Sequence, residues 1–327
     1  MELKKSSGRY LLQKTIGNNR KKAGLKKAVI VDMSVRLLVL TMLHRSRYNT
    51  PMARIKSAGW TDIGRMRPKN EDFFMVDDAS RLYIIADGMG GHPAGEVASR
   101  LAAENIRDYF DKAESDMPEA VMPGLNAALS SEANRLLAAI RFSNRKIHEL
   151  SQADKACWKM GSTVAAVLLT DTTMIIANVG DSPVYRVHGG QIELISVIHN
   201  MAAEMAACGH PEDVLLEQYR NVLTKAMGID DGVEPYVCEM PLFGGDIVVM
   251  ATDGLSNKVS PEEVHRAVRE KPPETACRCL VNLANERGGD DNITVVAIAI
   301  GLSEDRSREA VMDIWPKIRY GISKIFE

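Results

Sequence analysis

The chain has 327 residues, 45% of them hydrophobic and 26% charged, with a formal net charge of −2; it reads as a soluble globular protein able to bury one large core or two modest ones. The charge is unevenly placed, because residues 1–56 hold 14 Lys/Arg against Glu2 and Asp32 while the remainder holds 27 bases against 41 acids. Five cysteines, odd in number and without a CxxC pair, argue against a disulfide framework or a zinc site and for a reducing, cytoplasmic setting.

The basic arm, residues 1–54, contains one apolar stretch from Ala28 to Leu43, interrupted by Asp32 and Arg36. It falls short of the roughly 20 apolar residues that a membrane helix needs, and it starts late and lacks a small-residue cleavage site for a secretory signal. Three readings stay open: a flexible or loosely attached arm, electrostatic attachment to an anionic membrane or nucleic acid, or a translation start at Met33, Met42 or Met52 that leaves the arm non-native.

The body, residues 55–302, begins with strands in "IKSAGWTDIG" and "RLYIIAD", with "GRMRPKNEDFF" between them as a loop. Helical spacing follows over Pro93 to Lys112 and again over Pro118 to Ala153, with a break expected near Phe142 to Asn144. Strands come next in "STVAAVLLT", "TMIIANVGD", "PVYRV" and "QIELIS", the first two as an antiparallel hairpin turning at Asp171 and Thr172. After a mixed helical and loop region over His199 to Lys225, "EPYVCEMPL" and "DIVVMATD" form a further pair of strands joined through Gly244 and Gly245. Helices over Pro261 to Glu270 and Pro273 to Arg287 precede the closing strand "NITVVAIAI". Two clusters of antiparallel strands beside long helices imply an α+β fold with sheet packed on sheet and helices outside. The tail, 303–327, has apolar residues at near-helical spacing, broken at Pro316, and suits packing on the body or docking on a partner or membrane surface.

Acids sit at strand ends. Asp87 follows "LYIIA", Asp181 follows "MIIANVG", Asp253 follows "IVVMAT" and Asp291 precedes "NITVVAIAI", each next to glycine or in a glycine-containing turn. Any one of them alone is an ordinary turn or cap residue. If the strands share a core, however, their ends bring several anions together, and mutual repulsion then calls for cations. An oxygen-only donor set without histidine or cysteine favours Mg²⁺ or Mn²⁺. Upstream, Arg65, Arg67 and Lys69 stand beside Glu71 and Asp72, and an arginine fork next to metals suits phosphate oxygens.

In order, "GRMRPKNED", "ADGMGGHPAGE", "GSTVAAVLL", "ANVGDSPVYR", "VLTKAMGI", "ATDGLSNKV" and "GGDDNITVVAI" resemble the bacterial form of the PP2C (PPM) metal-dependent protein phosphatases. The likeness runs from about Ile55 to Gly301. It implies a four-layer α-β-β-α sandwich with two central, mainly antiparallel sheets. It also implies two Mn²⁺ or Mg²⁺ ions with room for a third. Asp87 would bridge the two metals and the Gly88 carbonyl would bind one of them. Asp253 and Asp291 would hold the first, Glu71 and Asp72 would act near the second, and Asp181 would help hold the third. Arg67 would bind the substrate phosphate, Asn292 would support the site, and Arg67, Asp87 and Asp253 would be the catalytic set.

The implied reaction is in-line hydrolysis of phosphoserine and phosphothreonine by a metal-bridged water, reversing a serine/threonine kinase on phosphorylated protein substrates. A phosphatase dedicated to one anti-sigma antagonist, or a catalytically dead phospho-binding module, are the alternatives. The Arg67 motif speaks against the first and the full set of acids against the second. No nucleic-acid partner is expected, and weak membrane-surface contact is left to the arm or tail. The chain departs from the family pattern at Pro183 and at Ile198-His199, which bears on flap geometry and substrate recognition. Met89 stands where eukaryotic members carry a histidine, and His92 is read either as a ligand or acid or as a structural residue at the helix start. A P-loop and a dinucleotide fingerprint are excluded, since "GMGGHPAGE" has no Lys-Ser/Thr and places Pro93 at the last glycine. No cysteine sits in a phosphate-cradling CxxxxxR loop, which excludes tyrosine-phosphatase chemistry.

Overall fold

The computed structural model describes residues 54–90, 94–116, 126–208 and 219–301. The expectations for the arm before Arg54, for His92 and for the 303–327 tail lie outside these residues.

One sheet has the order β1 (Ile55–Asp62), β11 (Ile293–Ile300), β10 (Ile247–Ala251), β7 (Val184–His188), β8 (Gln191–Leu194). The other runs β2 (Asp72–Asp77), β3 (Leu82–Met89), β5 (Val164–Leu169), β6 (Thr173–Val179), β9 (Tyr236–Pro241), with the two-residue β4 (Gly161–Ser162) paired to the end of β3. All pairings are antiparallel. Helices α1 (Ala94–Asp116) and α2 (Ser131–Ala153) cover the second sheet, and the short α3 (Met201–Ala207) follows β8. The first sheet is covered by α4 (Asp253–Ser256), α5 (Pro261–Glu270) and α6 (Pro273–Glu286). The layers are therefore α-β-β-α, as expected.

Three cores follow from period-two alternation along strands buried on both faces. On β3, Leu82, Ile84 and Ala86 pack under α1 and α2, while Tyr83 and Ile85 face the opposite sheet. On β10 and β11, Val249, Ala251, Val295 and Ala297 pack under α5 and α6, while Val248, Met250, Val296 and Ile298 face between the sheets. Each fully buried aliphatic side chain of this kind contributes about 2 kcal/mol of transfer free energy. One step further along the same inward register come Asp87 on β3, Thr252 after β10, and Thr294 and Asn292 at the start of β11. Asp72 precedes the inward Phe74 on β2 in the same way. Alternation thus carries apolar side chains through the middle of the sandwich and polar ones to one end of it.

Four local expectations need correction. Asp72 to Phe74, the end of the segment read as loop, belong to the edge strand β2 (Asp72–Asp77), held by pairing with β3 from Asp72↔Asp87 to Asp77↔Leu82. The strands on either side of Gly244 and Gly245 do not pair with each other, since β9 adds to β6 and β10 lies between β11 and β7. A short helix, α4, begins at Asp253, with Thr252 and not the aspartate at its N-cap position, where a turn or cap residue was expected. Helix α2 runs unbroken through Phe142 to Asn144. There the polar pair bonds outward instead of to its own backbone: Ser143 Oγ donates to the Leu101 and Ala102 carbonyls. Asn144 accepts from Gly228 N at 2.7 Å and donates to the Asp230 and Asp231 carbonyls.

Asn144 thereby fixes the 228–231 segment onto α2. Asn144→Ala leaves a buried backbone N–H and two carbonyls without that partner and should cost about 2–3 kcal/mol in urea unfolding. A change below about 0.5 kcal/mol, the range of neutral surface substitutions, would contradict this role.

Candidate active site

The inward polar residues meet at one end of the sandwich. Asp72 is buried, and its Oδ2 accepts from Thr252 Oγ1 at 2.9 Å and from Thr294 Oγ1 at 2.6 Å. Because Thr294 spends its proton on Asp72, its contact with Thr61 Oγ1 at 2.7 Å makes Thr61 the donor there. Asn70 Nδ2 in turn donates to Thr61 at 2.8 Å. The chain of donors is thus oriented from the 63–71 loop toward one carboxylate oxygen. Thr252 occupies the N-cap position of α4 without capping it; its hydroxyl serves Asp72 instead.

Asp87 lies opposite Asp72 in the β2–β3 register. Its backbone N–H donates to Thr163 Oγ1, and its carbonyl accepts from Thr163 N and Ser162 Oγ. Thr163 Oγ1 also meets Ser182 Oγ at 2.8 Å, joining the Asp87 turn to the Asp181 turn. Gly180, at φ +100, makes the second turn, and His199 clamps it, with Nδ1 accepting from Gly180 N and its own N–H donating to Gly180 O. Burial first, and then Lys225, hold the His199 imidazole below its ordinary pKa, which keeps it a neutral acceptor. The departure at Ile198-His199 therefore leaves a histidine that shapes the Asp181 turn.

Two glycines are required by close approach. A Cβ on Gly88 would run into the Gly95 carbonyl at the start of α1, and one on Gly254 into the Asn292 carbonyl. Asn292 clamps the arginine-bearing loop at three points: Nδ2 donates to the Ile63 and Lys69 carbonyls, and Oδ1 accepts from Glu71 N, each at 2.8 Å. Arg67, half exposed, donates through one terminal nitrogen to Asp291 Oδ2 at 2.7 Å. Glu71 lies against Gly95.

Too many buried anions share this end for all to be ionised unaided. Burial, then Asp72, Asp253, Asp291 and Asp181, push Asp87 well above the usual carboxylate range. Asp72 is raised to about 7 by burial, against the Thr294 and Thr252 hydrogen bonds. Asp181 is raised to about 7 by burial and then Asp253. Asp253 is raised by burial and then Asp291, with the Asp87 hydrogen bond and Arg67 opposing. Among the described residues no three or more acidic, histidine or cysteine side chains close around one point, and Asp291 is paired with Arg67. The donor set nonetheless fits a hard divalent ion. Of the three buried side-chain oxygens without a hydrogen-bond partner among the described residues, two are Asp72 Oδ1 and Asp253 Oδ1, and all the donors are oxygens.

A cavity of about 750 Å³ opens over this cluster, lined by Arg67, Glu71, Asp87, Asp253 and Asp291 together with Met89 and residues of the 221–234 segment. Asp181, Gly88 and Asn292 also line it, whereas Asp72 lies beneath. The structure therefore brings every acid expected from the sequence to one cavity or its floor. Thr61, Asn70, Thr163, Thr252 and Thr294 were not singled out from the sequence, and His199 was noted without its role in the turn; the signal of the hydroxyls was position, since each stands at or next to a strand end, within three residues of an acid or opposite one.

Residues 65–275 match the family described as protein phosphatase 2C. Protein phosphatase PhpP of Streptococcus pneumoniae is 31% identical over 246 residues, covering 73% of this chain and 95% of PhpP. Serine/threonine phosphatase stp of Listeria monocytogenes is 30% identical over 258 residues, covering 76% and 97%. The solved Mycobacterium tuberculosis serine/threonine phosphatase PstP/Ppp superposes with a TM-score of 0.65 at 28% identity, covering 76% of this chain and 99% of that one. A structure of the PstP catalytic domain in complex with two manganese ions gives 0.64 at 27% identity, covering 77% and 100%. The fold and the acid-lined cavity define a metal-dependent phosphohydrolase. This chain belongs to the protein phosphatase 2C family, and the activity that goes with membership is hydrolysis of phosphoserine and phosphothreonine in proteins.

Asp72 and Asp181, raised to about 7, keep protons in the folded protein that the unfolded chain releases above about pH 4. Their contribution to stability is therefore lost as pH rises from about 4 to about 7. In chelator, wild type should lose thermal stability relative to Asp181→Asn across that window. A difference that grows in favour of wild type with rising pH would contradict the shift.

Proposed function

We propose that this phosphatase holds two divalent cations, Mn²⁺ or Mg²⁺, with a third position beside Asp181. In this reading Asp87 would contribute to holding both ions, Asp253 and Asp291 would hold one of them, and Glu71, Asp72 and the Gly88 carbonyl would hold the other. The observation that carries the assignment is the pair of buried, unpartnered oxygens on Asp72 and Asp253, each on a carboxylate raised by burial and then by its neighbours. Bound divalent cations supply Lewis acidity, lowering the pKa of water and drawing charge from a phosphoryl group.

Arg67 is the phosphate-binding residue. It lines the cavity, is half exposed, and uses one terminal nitrogen on Asp291, so the rest of its fork can take phosphate oxygens in the bidentate manner. Asn292 holds that loop in place from three sides, which sets the direction in which the guanidinium meets the equatorial oxygens. The threonine donors saturate Asp72 Oδ2 and leave Oδ1 as the oxygen offered to a cation. Opposite a serine/threonine kinase, the chain acts on more than one phosphoprotein; the presence of the Arg67 motif supports this over a dedicated partner-switching role. The buried thiols Cys157 and Cys277 support a reducing, cytoplasmic setting. The domain reading of 55–302 is supported by the three cores that its described residues build.

Mn²⁺-dependent hydrolysis of p-nitrophenyl phosphate should vanish with chelator and fall by at least about a hundredfold in Asp253→Asn; chelator-resistant turnover, or full activity in that variant, would overturn the reading. In Arg67→Ala, KM for a phosphothreonine peptide should rise by about tenfold or more, the loss of a charge-assisted hydrogen bond. Mn²⁺ affinity by calorimetry should be retained or rise, because a neighbouring cation is gone. Parallel loss of peptide and metal binding would count against the role of Arg67.

A further inference from the structure

The cavity is larger than a phosphoryl group, and its lining is mixed in chemistry. Besides the acids and Arg67 it includes Met89, Val222 and Ile229, set among polar residues such as Lys225, Asp230 and Glu234. Val222 is 41% and Ile229 45% exposed, although both are aliphatic. Gly161 shows how this wall is built. A Cβ there would lie 2.7 Å from Met89 Cε and 3.0 Å from Ile229 Cδ1, so the two side chains end over the same spot and form one apolar strip.

The strip stands on pinned backbone. Met227 and Ser162 exchange N–H···O bonds, Met201 N donates to the Val222 carbonyl, and Gly228 N donates to the buried Asn144. Gly228 also sits against Ile147 of α2 at φ +81. An exposed apolar surface held this firmly, inside the cavity that holds the phosphate-binding arginine, is prepared for a ligand group of the same character.

We propose that Met89, Val222 and Ile229 form a subsite for an aliphatic side chain of the substrate, within two residues of the phosphorylated serine or threonine. This deepens the phosphatase reading above and rests on it. A peptide whose phosphate reaches Arg67 must leave the cavity along its walls. In extended chain, successive residues are spaced about 3.3 Å apart with side chains on alternate faces, so a neighbouring side chain comes onto the strip. An aliphatic group there is removed from water together with the exposed faces of Val222 and Ile229. A small or polar one leaves those faces wet. The subsite thus selects among phosphoproteins by the residues flanking the phosphate, while the acids and Arg67 treat all phosphates alike.

The test uses the full chain with Mn²⁺ and two phosphothreonine peptides that differ only at the two positions on each side of the phosphothreonine, leucine in one and alanine in the other. Wild type should favour the leucine peptide by about tenfold in kcat/KM, mainly through KM, the scale set by burying the extra aliphatic carbons. In Ile229→Ser that ratio should fall to about twofold or less, and Val222→Ser, on the other part of the wall, should lower it in the same direction. Equal kcat/KM for the two peptides in wild type would overturn the proposal, as would an unchanged ratio in both variants. Failure of the phosphatase reading itself shows differently, as absence of Mn²⁺-dependent p-nitrophenyl phosphate hydrolysis by wild type.

Discussion

Asp72, Asp87, Asp181, Asp253 and Asp291 share one end of a sandwich whose interior is otherwise apolar, and like charges removed from water cannot all ionise together without compensating cations. The rest of the site follows from this constraint. In the protein alone the strain is met in three ways: burial and mutual repulsion raise Asp72, Asp87, Asp181 and Asp253 above the ordinary carboxylate range, Arg67 pairs with Asp291, and hydroxyl donors converge on Asp72. In the proposed reading, divalent cations would relieve the same repulsion more fully and would leave Arg67 free for phosphate. A site that binds cations strongly because it is poorly satisfied without them is then also a site that presents positive charge to a phosphorylated side chain.

Burial of so many acids is tolerable because the sandwich around them is large and regular. Three separate apolar cores flank the two sheets, and the strands that supply the acids are central or next to central, apart from β2. The polar end is braced by bonds that run between sheets. The donor chain from Asn70 through Thr61 and Thr294 reaches Asp72. Asn292 ties β11 to the arginine loop, and Thr163 joins the turns of Asp87 and Asp181. These links tie the loop that carries Arg67 to the acids, which is the kind of bracing that positioning of a reacting group requires.

Much of this was legible in the residues themselves. The acids at strand ends are visible because apolar runs stop abruptly at Asp87, Asp181 and Asp253 and start again after Asp291, and the order of the motifs carries the family likeness. What was not legible depended on tertiary partners. Edge strand β2 is short and continues a loop of charged residues, so its pairing with β3 decides its state. Gly244 and Gly245 look like a hairpin turn, yet the strands on either side join different sheets. The Ser143-Asn144 pair resembles a helix break only until its side chains find partners on α1 and the 228–231 segment. The threonines that orient Asp72 look like ordinary β-strand residues, and only the inward register gives them their role.

The central claim is that this acid cluster retains protons that divalent cations displace. Titrating Mn²⁺ into the protein by calorimetry near neutral pH, in buffers of different ionisation enthalpy, counts those protons directly. The account predicts net proton release on binding, diminishing as the pH is raised above about 7, the pKa reached by Asp72 and Asp181. Tight Mn²⁺ binding with no proton release at any pH in this range would contradict it.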